Sequence, residues 1–131
     1  MMTRSMRTER DLTGLFKLLL LVAVVVAVTM ALLPKPPHLP IDRFGDKFQH
    51  MLAFATLAAL ASFAYPAAPG LKVLERLSFL GAMVEVLQSI PSLHRDCDIR
   101  DWIADTIAIA LVVGIVALVR RTRPPRIRTL H

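Results

Sequence analysis

Cysteine is nearly absent from this chain. Cys97 is the single one in 131 residues, which excludes an intrachain disulfide and any CxxC-type metal site and leaves the compartment to be read from topology. Aromatic residues make up only 6%. The one tryptophan, Trp102, and the one tyrosine, Tyr65, flank apolar runs, as anchoring rings do at a membrane–water interface. The six methionines are scattered and suggest no copper-like cluster. No nucleophile elbow, P-loop or other local catalytic signature is present. Acidic residues are the minority charge, 10 against 16 Lys and Arg, for a net charge of +6 and a pI near 10.5. That basicity does not point to nucleic acid, because the basic residues gather mostly at the two chain ends beside apolar runs, the pattern of a membrane surface.

What the chain has in excess is apolar side chain: 55% of residues, with a mean hydropathy of +0.56, more than a soluble domain of this size carries. The excess falls in four segments, Leu15 to Leu33, Phe48 to Tyr65, Leu71 to Ile90 and Trp102 to Val119. Each is close to the ~20 residues that a helix needs to cross ~30 Å of hydrocarbon. Lys72, Glu75 and Arg76 stand in the first turns of the third segment, where long side chains can snorkel to an interface. "PKPPHLP" (Pro34 to Pro40) reads as a stiff extended connector and "YPAAPG" (Tyr65 to Gly70) as a tight turn. The expected fold class is therefore all-α, an integral membrane bundle of four transmembrane helices. Residues 15–119 form the membrane domain, 1–14 a basic N-terminal tail and 120–131 a basic C-terminal tail.

Orientation follows from Lys and Arg. The N-terminal flank (Arg4, Arg7, Arg10, Lys17), the second connection (Lys72, Arg76) and the C-terminal tail (Arg120, Arg121, Arg123, Arg126, Arg128) hold eleven; the first and third loops (Lys35, Arg43, Lys47, Arg95, Arg100) hold five. Both termini are thus expected in the cytoplasm, with the first and third loops together at the outer face of the membrane. The first segment is longer than the h-region of a signal peptide, and no small-x-small site precedes Pro34, so it reads as a retained span. Small residues let transmembrane helices approach; the second segment offers Ala55, Ala58, Ala59 and Ser62, and the fourth Ala104, Ala108, Ala110 and Gly114. The Leu- and Val-rich first segment is expected to face lipid.

Polar residues converge on the outer half. Asp46 and His50 are four apart, with Lys47 beside them; Glu85 and Gln88 share a face of the third helix; Arg95 follows in the loop. Asp98 and Asp101 suit the N-cap and N3 positions of the fourth helix, and Asp105 lies one turn deeper. An unpaired charge at membrane depth costs several kcal/mol, so these groups are expected to turn inward and pair where the helix ends meet.

The order of these residues, DKxxHxxAF, then ExxQ and Pro, then R, D and DxxADT, resembles the VanZ-like family of small bacterial membrane proteins. The matching positions are Asp46, Lys47, His50, Ala53 and Phe54; Glu85, Gln88 and Pro91; Arg95; and Asp98, Asp101, Ala104 and Thr106, over about residues 42–118. One departure is Asp105, where the family usually has Asn. If that Asn donates a hydrogen bond, Asp105 must be protonated or find a cation. The resemblance implies a cell-envelope membrane protein, since the family is named for a protein linked to teicoplanin resistance, and it supplies no mechanism.

Several readings of the cluster stand side by side. As a binding site, Arg95 and Lys47 would hold a phosphate or carboxylate of a lipid-linked or glycopeptide-related envelope ligand, and Glu85 and Gln88 its hydroxyl or amide groups. As a hydrolase or transferase, His50 held by Asp46 would be a general base with Glu85 as partner. A divalent-cation site of His50, Glu85, Asp98 and Asp101 would draw ligands from separate helices, so spacing lends it no support; neither metal nor cofactor is assigned. As architecture alone, the cluster fixes how helices meet in a scaffold or partner subunit.

Overall fold

Proline and glycine set the helix ends. The structure, a computed structural model, describes residues 3–33, 40, 43, 45–93 and 97–123, with Asp46 and Leu93 through their backbone alone. Four helices follow in order: α1 (Arg4–Leu32), α2 (Asp46–Ala64), α3 (Gly70–Gln88) and α4 (Ile99–Thr122), with a 3₁₀ turn at Pro91–Leu93 before α4. Gly45, at φ +87°, precedes α2 in a conformation that L side chains rarely adopt. The turn between α2 and α3 closes with Ala68 N–H donating to Tyr65 O at 3.0 Å, and Pro69 then stands at the N-cap of α3. The Pro34–Pro40 connector lies largely outside the described residues.

α1 reaches back to Arg4, so the basic segment assigned to a tail is helical there. Phe16 meets Phe63 near the end of α2, with ring centroids 5.3 Å apart, and Lys17 Nζ sits 5.0 Å from the Tyr65 ring centroid. The residues before Phe16 carry α1 about three turns past that point. α1 and α4 are long and apolar enough to cross a membrane, with mean hydropathies of 2.7 and 2.5 over their most apolar windows. α2 and α3 have 19 residues each, or ~29 Å of helix, and carry most of the polar groups described below.

Successive helices run in opposite directions, so α2 and α4 are parallel. α2 packs chiefly on α4 and α1, and α3 chiefly on α4. The core is one face of α2, Phe54, Leu57, Ala58 and Ala61 at helical spacing, set against Val73 and Leu77 of α3 and Ile109 of α4. α1 contributes no buried residue and lays Leu20, Ala23 and Val24 on that cluster.

The small residues divide. Ala58, Ala108 and Ser62 are buried, and the Ser62 hydroxyl is returned to Ala58 O at 2.8 Å. Ala110 and Gly114, expected at a helix contact, face outward instead, and nothing lies within 4 Å of where a Gly114 Cβ would be. The close approach occurs at Gly70, where a Cβ would stand 2.6 Å from Val113 Cγ1. At the same end Arg120 donates to Ser62 O at 2.7 Å and Pro66 O at 3.4 Å, giving partners to carbonyls at the C-terminus of α2.

Candidate functional site

The end of the bundle where α2 and α4 begin and α3 finishes holds Lys47, His50, Glu85, Asp98, Asp101 and Asp105. Asp98 is the N-cap of α4, its Oδ1 accepting from Arg100 N–H at 2.9 Å, and Asp101 follows in the first turn, as the spacing predicts. Two rungs join α4 to α2. Lys47 Nζ lies 3.8 Å from Asp101 Oδ1, and His50 Nδ1 lies 3.8 Å from Asp105 Oδ2. The steps match because the helices are parallel: three residues on α2 and four on α4 each advance about one turn. The first rung is half in solvent; the second is largely buried, with Asp105 2% exposed and its Oδ1 without a hydrogen-bond partner.

A separate arrangement joins α4 to α3. Glu85, 7% exposed, accepts from Asp98 N–H through Oε2 at 3.2 Å, so its carboxylate meets the amide-rich start of α4, where negative charge is favoured. Its other oxygen, Oε1, is buried and has no hydrogen-bond partner. Beside it stands exposed Cys97, whose thiol is pushed up from its ordinary value, first by the nearby Glu85 carboxyl and then by desolvation.

Deeper between the same helices, Trp102 Nε1–H donates to Ser78 O at 2.9 Å. Thr106 gives its proton to Trp102 O at 2.9 Å, which leaves the Ser78 hydroxyl, 2.9 Å away, to donate to Thr106 Oγ1. Trp102 is thus turned inward as a bridge between α3 and α4 and is more than an interface anchor. An open cleft of ≈ 370 Å³ lies between the two helices, lined by Ala82, Glu85, Val86, Ser89, Cys97, Ile99 and Trp102.

Gln88 belongs to neither arrangement. Its amide donates to Ala31 O at 2.8 Å, satisfying a carbonyl in the last turn of α1. Arg95 and the Asp46 side chain lie outside the described residues; among those described, His50 pairs with Asp105. Among the described residues, no group of three or more His, Cys, Asp or Glu is placed to hold a metal ion.

The chain matches no family model, no curated protein and no solved structure.

The polar residues expected at this end make a ladder of Lys47–Asp101 and His50–Asp105 between α2 and α4 and a cleft around Glu85 between α3 and α4, with His50 and Asp101 within electrostatic reach of Glu85. Sequence reasoning missed the cleft and its non-ionic members. The signal was present along α3 and its C-cap, where Ser78, Ala82, Glu85 and Ser89 recur at steps of four, three and four on one face.

Proposed function

We propose that this chain is a multi-pass protein of the bacterial cytoplasmic membrane, of the VanZ-like type, with all four helices spanning, both termini in the cytoplasm and the Glu85 end at the outer face. In this reading the outer end binds a lipid-linked or other envelope ligand in a role like that of glycopeptide resistance. Large apolar side chains lie exposed on α2 and α3 as well as on α1 and α4, among them Phe48, Leu52 and Phe63, and Leu71, Phe79 and Val86. Such a belt on every helix suits contact with lipid and is unsuited to water. The Lys and Arg asymmetry, eleven against five, supports the orientation, and the family resemblance rests on residues that mostly gather at this one end.

The observation that carries a binding role is Glu85. A carboxyl oxygen held without a partner under 7% exposure leaves a desolvation cost of about 1–3 kcal/mol uncompensated, and it stands in the wall of a cleft with room for a ligand group. The Asp98 N–H partners Oε2 alone. Catalysis by a His50–Glu85 pair has less support, because His50 is engaged with Asp105 and Glu85 with Asp98 N–H.

The test is growth under glycopeptide and envelope stress of a deletion strain carrying wild type or Glu85→Gln at matched protein levels. The variant keeps shape and removes charge. Failure of Glu85→Gln to rescue at normal abundance is the expected result; full rescue would reduce the Glu85 end to architecture.

A further inference from the structure

The lining of the α3–α4 cleft restricts what can occupy it. Its polar oxygens are acceptors. Glu85 Oε1 is buried and unpartnered, and the Ser89 hydroxyl proton is already given to Val86 O, which leaves that oxygen only lone pairs to offer. Among the described residues, no Lys, Arg or His lines the cleft, and Lys47 and His50 face Asp101 and Asp105. An anionic head would therefore meet a carboxylate with no cation among the described lining residues. The remaining walls are apolar: Ala82, Val86, Ile99 and Trp102. The Trp102 N–H is committed to Ser78 O, so the ring brings the cleft carbon surface and a π-system, which also attracts cations. Val86 and Ile99 are 63% and 68% exposed, so apolar surface continues from the cleft to the outside of the bundle, where the proposed topology puts lipid.

We infer that this cleft binds an aminophospholipid of the phosphatidylethanolamine class, whose primary ammonium donates to Glu85 Oε1 while its hydrocarbon lies along Val86, Ile99 and Trp102. A primary ammonium carries the donors that the unpartnered oxygen lacks and the charge that complements a carboxylate, and an acyl chain fits a groove that opens sideways from the bundle. The inference rests on the reading of the Glu85 end as a ligand site and narrows the ligand to one chemistry.

Trp102 is the only tryptophan in the chain and lines the cleft, so its emission reports occupancy. The experiment titrates the detergent-solubilised full chain with short-chain phosphatidylethanolamine, with phosphatidylcholine of the same chains, whose quaternary head has no N–H, and with anionic phosphatidylglycerol. It follows Trp102 emission and the rate at which N-ethylmaleimide labels Cys97. Phosphatidylethanolamine is expected to saturate the emission change at a concentration roughly tenfold or more below the other two, the size of one charge-assisted hydrogen bond, and to slow labelling of Cys97. Glu85→Gln is expected to erase the preference. Equal binding of the three lipids, preference for phosphatidylglycerol, or a preference that survives Glu85→Gln would each overturn the inference. The lipid comparison in wild type needs no variant to fold. If the lipids bind equally while Glu85→Gln still fails under envelope stress, only the headgroup assignment falls; if Glu85→Gln also rescues growth, the ligand-site reading falls with it.

Discussion

Asp105 sits where the resembling family usually has Asn, and its surroundings define what that difference demands. One oxygen lies 3.8 Å from His50 Nδ1, the other has no partner, and the residue is 2% exposed. Removing His50 leaves a buried carboxyl alone, so His50→Ala is expected to destabilise the protein by about 3 kcal/mol. Asp105→Asn keeps the shape without the charge and is expected to change stability by less than about 1 kcal/mol. The double variant should then be more stable than His50→Ala alone, a non-additivity that thermal unfolding in detergent reads directly. Equal stability of His50→Ala and the double variant would mean that the two side chains do not interact. Cys97 gives the pH dependence. The Glu85 carboxyl beside it raises the thiol above its ordinary value, so at a given pH less of it is thiolate and maleimide reacts more slowly. The protonated thiol is the form favoured in the folded chain; that preference is present at and below neutral pH and is lost as pH rises through the raised value. Glu85→Gln removes the carboxylate, and the pH of half-maximal labelling is expected to fall; an unchanged profile would contradict the Cys97–Glu85 contact. At this scale the sequence identified Asp98, Asp101, His50, Lys47 and Glu85 as members of a polar end. It put His50 with Asp46 and Glu85 and missed the Lys47–Asp101 and His50–Asp105 rungs, because pairing depends on how each helix is rotated about its axis, and spacing along one helix carries no information about its neighbour.

Helix boundaries were far more legible, since they depend on local chemistry. Pro66, Pro69 and Pro91 fall between helices, and Asp98 caps α4 as an Asp before an apolar run should. Contacts between helices were not legible: Ala110 and Gly114 have the spacing of a packing motif yet face outward, whereas Gly70, in what reads as a turn, is where α3 comes against α4. The two glycines therefore give opposite predictions. Gly70→Ala places a methyl 2.6 Å from Val113 Cγ1, and a β-branched side chain has few rotamers with which to yield, so a loss of about 1–3 kcal/mol is expected. Gly114→Ala meets nothing within 4 Å and replaces a flexible residue inside a helix, so it is expected to be neutral or to stabilise by about 0.5–1 kcal/mol. Thermal unfolding of the two variants side by side checks both signs.

For the whole molecule, the proposal joins an apolar exterior to a polar end with a definite direction. The end that holds Lys17, Tyr65 and Arg120 carries the excess of basic residues, and the end that holds Glu85, Asp98 and Cys97 carries the unpartnered carboxyl oxygens. The account needs the second end to face outward, since an envelope ligand cannot otherwise reach Glu85. Cys97 is exposed and is the only cysteine, so the native chain already carries the reporter. The deciding measurement is labelling of Cys97 in intact cells with a membrane-impermeant maleimide, set against labelling after permeabilisation. Equal labelling in both is the predicted result and places the Glu85 end at the outer face. Labelling that appears only after permeabilisation would put that end in the cytoplasm and contradict the account at its centre.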